Sequence, residues 1–139
     1  MNLATLRVEG SDDGLAQVVH SLGLEISARW KKGDARLRGN VHMSSGISAI
    51  VADSTTPREM ADEISRFTKS VRESGISFSR LGLEAELSIG LGVGMEDQFV
   101  ASVEFSPDEL STFSAIGLIL SITAYPCSDE DEANEASDT

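Results

Sequence analysis

The sequence predicts a single α+β domain with a mixed or antiparallel sheet and about three helices. Three observations carry that expectation. The 139 residues match the usual size of one domain, and one core of that size folds without disulfides or metal. Apolar residues recur with period two in some segments and at i, i+3, i+4 and i+7 in others, which marks strands interspersed with amphipathic helices. Helix-capping residues stand where the period changes. The domain is expected over residues 1–126, with 127–139 an acidic tail expected to be disordered.

The elements follow in order. Leu3, Thr5 and Arg7 alternate with Ala4, Leu6 and Val8, which predicts an opening strand with one buried face. Ser11-Asp12-Asp13-Gly14 offers caps for a helix that carries Leu15, Val18, Val19 and Leu22 on one stripe and stops at Gly23. Strand-like stretches come next at 24–30, 35–44 and 46–52. Thr56-Pro57-Arg58-Glu59 has the form of a capping box and opens a helix over 57–75, with Met60, Ile64, Phe67 and Val71 on one stripe. Residues 83–93 and 98–105 read as a strand pair turned at Met95-Glu96-Asp97. Ser106-Pro107-Asp108-Glu109 repeats the capping pattern before Leu110, Phe113 and Ile116, and Leu118–Tyr125 is a last strand ended by Pro126.

The two ends also resemble each other. Val8-Glu9, Ser11, Asp13, Leu22-Gly23-Leu24 and Trp30 align with Val103-Glu104, Ser106, Asp108, Ile116-Gly117-Leu118 and Tyr125. Such a pseudo-repeat would set two βαβ-like units about the sheet, with their helices on one face.

Charge separates the function classes. The formal net charge is −12, a balance that repels phosphate backbones, so nucleic acid is not an expected partner. It favours a basic protein, whose encounter it would steer. Against that background, Arg29, Lys31, Lys32, Arg36 and Arg38 crowd around Trp30, while the tail carries six acids and no base. Trp30 would either cap the core beneath snorkelling basic side chains, or sit under a patch masked by the tail. The single cysteine, Cys127, closes no internal bridge and reads as a peripheral thiol. No secretory pattern opens the chain, and the apolar stretch near Ala115–Ile122 is too short to span a bilayer, so a cytoplasmic location and no membrane partner are expected.

Motifs for chemistry are sparse. Gly90-Leu91-Gly92-Val93-Gly94 lacks the lysine and the following helix of a phosphate loop, and reads as a strand softened by glycine. His20 and His42 have no nearby cysteine, so no metal or cofactor is expected. No serine sits in a Gly-x-Ser-x-Gly elbow. Glu84 and Glu86 share one face of a strand and form the one carboxylate pair that suggests hydrolysis. The same alternation is the ordinary signature of a half-solvated strand.

Leu22-Gly23-Leu24-Glu25, Trp30 and Lys31-Lys32-Gly33-Asp34 resemble the hallmark segment of a bacterial family catalogued as domain of unknown function 4279. Thr5-Leu6-Arg7 resembles its opening strand. Ser106–Leu110, Gly117-Leu118 and Ser121–Tyr125 resemble its closing helix, turn and strand. The likeness covers most of residues 4–125; Ile26 stands where the family often has proline, and Val41-His42 where it often has a second tryptophan. The resemblance implies a compact α+β fold and assigns no catalytic residue. Acidic single domains of this kind look like immunity proteins. The leading expectation is therefore a non-catalytic protein-binding module, an immunity-type inhibitor of a basic toxin, with Asp12, Asp13, Glu25, Trp30, Glu84 and Glu86 as contact residues. The alternatives are a small-molecule or regulatory domain with a cleft between the sheet and the 57–75 helix, and a hydrolase using Glu84 and Glu86. An uncovered sheet edge would permit a homodimer.

Overall fold

The computed structural model describes residues 1–36 and 39–127. Five strands and three helices follow one another as β1 (Asn2–Gly10), α1 (Asp12–Leu22), β2 (Ile26–Trp30), β3 (Ser45–Asp53), α2 (Pro57–Glu73), β4 (Glu84–Val93), α3 (Pro107–Ile116) and β5 (Leu118–Pro126). The strands form one sheet in the order β2-β3-β1-β4-β5, antiparallel except for the parallel β4–β5 pair. The α+β class and the mixed sheet are those the sequence predicts.

The first six elements interlock as two split βαβ units. β1 and β2 run parallel with β3 between them, and β3 and β4 run parallel with β1 between them. α3 and β5 then extend the sheet beside β4. All three helices cover one face. Ala4, Leu6 and Val8 of β1 turn to that side and are buried with Leu15 and Val18 of α1, Val71 of α2 and Ile116 of α3. Leu87, Ile89 and Leu91 of β4 meet Met60, Ile64 and Phe113 there. Full burial of each such side chain contributes roughly 1.5–3 kcal/mol.

Local signals explain where the helices start and stop. Ser11 accepts from the Gly14 N–H at 3.1 Å, and Gly23 closes α1 in the left-handed region with φ 59°. Ser106 and Glu109 form a reciprocal capping box on α3. The box read from the sequence at Thr56–Glu59 is only half made. Thr56 accepts from the Glu59 N–H, but the Glu59 carboxylate accepts from the Thr55 hydroxyl at 2.8 Å instead of reaching back. Glu109 also accepts from Ser65 Oγ, which ties α3 to α2.

Two expected strands are not formed by the described residues. Residues 98–105 form no strand, because β1 and β5 already occupy both sides of β4. Their alternation serves another end: Ala101, Val103 and Phe105 turn onto the core, and the Phe105 and Phe113 rings meet edge to face at 5.1 Å. The start of this strap is fixed by a buried amide pair. Asn2 Nδ2 donates to Gln98 Oε1 at 3.0 Å, and Gln98 Nε2 donates back at 2.9 Å. Of the stretch expected as a strand over 35–44, the described residues form a loop held by an isolated Ala35–Val41 bridge, and Leu37 and Arg38 lie outside the described residues. Of the pseudo-repeat, the helix, left-handed glycine and following strand recur in both halves. Its opening strands do not, because Val103-Glu104 lies in the strap.

Candidate functional site

The face opposite the helices carries a cluster of charged and aromatic side chains. Strand register lays them out in two neighbouring rows. The first runs Trp30 (β2), Gly46 (β3), Glu9 (β1) and Glu84 (β4). The second runs Ala28, Ser48, Arg7, Glu86 and Ile119 of β5. Arg7 and Glu9 reach this face because their neighbours Leu6 and Val8 are buried on the other, and side chains alternate along a strand.

Trp30 lies flat on the sheet because Gly46 has no side chain; a Cβ at Gly46 would overlap the indole. His42 stacks on the ring at 5.1 Å between centroids, tilted by 22°. The Arg7 guanidinium stands 4.7 Å from the ring centroid, within cation–π range. Arg7 also donates to Glu9 Oε1 at 2.8 Å. The indole Nε1–H is buried without a hydrogen-bond acceptor among the described residues. Leaving a buried donor unpaired costs about 1–3 kcal/mol, so the ring's seat on the glycine is held by packing and not by polar contact.

Electrostatically the cluster is unbalanced. Among the described residues three carboxylates, Glu9, Glu84 and Glu86, stand beside one cation, Arg7, which is ion-paired to Glu9. Glu9 and Glu84 stand directly opposite each other on antiparallel strands, where like charges repel at a cost of about 0.2–1 kcal/mol. A cation placed between them from outside would relieve that repulsion. Tyr125 repeats the Trp30 arrangement at the far end of the same face, its ring over Gly90, where a Cβ would sit 3.1 Å from Cε2.

The structure therefore brings together three of the six residues read as contacts, Trp30, Glu84 and Glu86. Asp12 and Asp13 are exposed in the first turn of α1, just past the sheet end that holds Glu9, and there they complement the helix dipole. Glu25 is exposed before β2, at the opposite end of that strand from Trp30, and does not join the cluster. Arg7, Glu9, His42 and Gly46 were not legible as site residues. The alternation of β1 shows that Arg7 and Glu9 face solvent, but only the register shows what stands beside them.

The basic segment departs from the first expectation, since Trp30 lies on the open face and the cation over it comes from another strand. Arg29 pairs with core-facing Ile47 and so points away from Trp30, while Lys31, Lys32 and Arg36 are exposed. Among the described residues the cation on the indole is Arg7, from another strand. The expected contact between this segment and the tail beyond Cys127 lies outside the described residues. Cys127 itself is half-buried, its N–H bonded to the Val93 carbonyl at 2.7 Å, so it belongs to the folded unit.

The cleft expected between the sheet and the 57–75 helix is closed, because Met60, Ile64 and Val71 of α2 are fully buried against it. A cleft of about 470 Å³ opens instead between α1 and β2, with Leu15, Val19 and Ile47 inside and Asp12, Arg29 and Lys31 among its polar residues. Among the described residues, no group of three His, Cys, Asp or Glu side chains is placed to hold a metal, and no helix is long and apolar enough to cross a membrane. Comparison of the chain with protein-family models, with curated proteins and with solved structures returns no match.

Proposed function

We propose that this chain is a non-catalytic protein-binding module, an immunity-type inhibitor whose helix-free sheet face covers a basic protein. One observation carries the reading: Trp30, Arg7, Glu9, Glu84 and Glu86 occupy adjacent rows of a face that no helix covers among the described residues, with more negative charge than those residues neutralise. Long-range attraction from the net charge of −12 would speed the encounter. A lysine or arginine of the partner then enters between Glu9 and Glu84, and the edge of the indole supplies the apolar anchor. Glu84 and Glu86 stand on an open face and not within a cleft, which favours binding over hydrolysis.

A second reading has its own observation. The α1–β2 cleft, with an apolar interior and the cations Arg29 and Lys31, suits a small anionic ligand with an apolar body.

The test compares retention of proteins from native lysate at low and high salt by three baits. These are the wild type, Glu84→Lys/Glu86→Lys, and the control Asp62→Lys, whose residue is exposed on α2. The proposal expects one basic protein retained by wild type and control, released by salt, and lost from the double variant. Equal retention by all three baits would remove the face from the proposal, and an empty wild-type bait would move the weight to the cleft.

A further inference from the structure

The two outer strands of the sheet are finished differently. β2 has five residues, a register shift between Ile26 and Ala28, and the cations Arg29, Lys31 and Lys32 on or just after it. Short length, a bulge and basic side chains are the usual means of keeping an edge from pairing. β5 has none of them. It runs for nine residues, Leu118–Pro126, without a charge, and keeps register with β4 throughout. Ile119, Ile122 and Tyr125 along it are 45%, 50% and 45% exposed. Among the described residues no strand pairs with its outer side. The N–H of Cys127 bonds to the Val93 carbonyl, so by the two-residue period the backbone groups of Leu118, Leu120, Ile122 and Ala124 point away from β4.

We propose that β5 pairs antiparallel with the β5 of a second copy about a two-fold axis at Ile122, joining the two sheets edge to edge. This register is self-complementary. Ile122 meets the partner's Ile122, and Leu120 meets the partner's Ala124, both on the helix-bearing side and with outward backbone groups facing. On the open face Ile119 meets the partner's Tyr125 and Ser121 meets the partner's Thr123, an apolar–aromatic and a hydroxyl pair of the kind that stabilises antiparallel strands. The only proline of β5, Pro126, falls at the strand end, where a missing N–H removes one terminal bond. A second copy fits better than a basic partner, because an edge with no acid offers a cation nothing, whereas two uncharged edges meet without repulsion. The contact is isologous, as a closed dimer requires.

The net charge of −12 per copy opposes association at long range, and salt screens that term. Added salt therefore tightens the dimer, the reverse of its effect on a basic partner. Sedimentation equilibrium of the full chain over a concentration series would read this directly. The expected mass rises from 14.8 kDa toward twice that value, at lower protein concentration when salt is higher. Ile122→Lys sets two ammonium groups together at the axis and is expected to hold the chain monomeric, while Ile122→Val dimerises as wild type. Ala124 is exposed, so Ala124→Lys makes the same test should Ile122→Lys unfold. A wild type that stays monomeric at every concentration and salt overturns the proposal, as does a dimer that survives both lysine variants. Dimerisation seen only after truncation at Cys127 also overturns it, because the tail would then be the occupant of the edge.

Discussion

The two faces of the sheet come from the same strands and often from adjacent residues, yet they are built to different ends. On the covered face Leu6, Val8, Leu87 and Ile89 meet helices and are at most 1% exposed. On the open face Arg7, Glu9, Glu84 and Glu86, each next in sequence to buried Leu6, Val8, Ala85 or Leu87, stand side by side across β1 and β4. The covered face is a packed apolar core, whereas the open face keeps opposed carboxylates and a buried indole N–H without an acceptor among the described residues. Departures from local consistency of that sort concentrate where a protein binds something. The difference separates what the fold needs from what it presents.

The comparison is broken most sharply by making the same change on both sides. Ile64 on α2 is fully buried, and Ile50 on the open side of β3 is 56% exposed. Ile64→Ala is expected to cost about 2–5 kcal/mol through lost transfer energy and the cavity left behind. Ile50→Ala is expected to cost less than about 1 kcal/mol, because most of its surface already meets water. Denaturant unfolding of the two variants would read the contrast, and equal losses would mean that the open face is covered in solution.

A smaller effect tests the aromatic seat. Gly46→Ala places a methyl group where the indole lies, and the ring must lift. Overpacking of this kind costs about 1–3 kcal/mol. Lifting also takes the ring from Arg7 and His42, so the fluorescence of the single tryptophan should shift to the red with quenching altered. An unchanged spectrum would show that Trp30 is not held on Gly46. The matching change at Gly90, under Tyr125, should be milder, because the nearest ring carbon there would lie 3.1 Å away.

How much of this was legible in the sequence follows the same division. Elements built from short-range signals were readable: Ser11 and Gly23 bound α1, the Ser106–Glu109 box opens α3, and the alternation of β1 names its buried residues. Period two predicts a strand over 98–105, but it reports which side chains turn inward, not whether a neighbour is free to hydrogen-bond. The place beside β4 had already gone to β5, a parallel strand delivered by α3. At the site, Trp30, Glu84 and Glu86 were visible as unusual residues on strands. Their partners were not, since Arg7 and Glu9 lie more than 70 positions from Glu84 in sequence, and the register between such strands follows from the whole packed core.

The smallest effect is also the most discriminating between the two roles of the open face. Glu84→Gln keeps the shape of the side chain and removes one of the two carboxylates opposed across β1 and β4. If those charges served stability, the variant would lose it. Because they repel, the variant should gain about 0.2–1 kcal/mol, and the gain should shrink in high salt, where the repulsion is already screened. Thermal unfolding at two ionic strengths would measure both signs. The same substitution should weaken capture of a basic partner, since it removes half of the carboxylate pair that the partner's cation would enter. A residue whose replacement raises stability while lowering binding is held in place by function. A loss of stability in Glu84→Gln would instead place the Glu9–Glu84 pair in the structural framework, and the binding face would then have to be sought beyond these two rows.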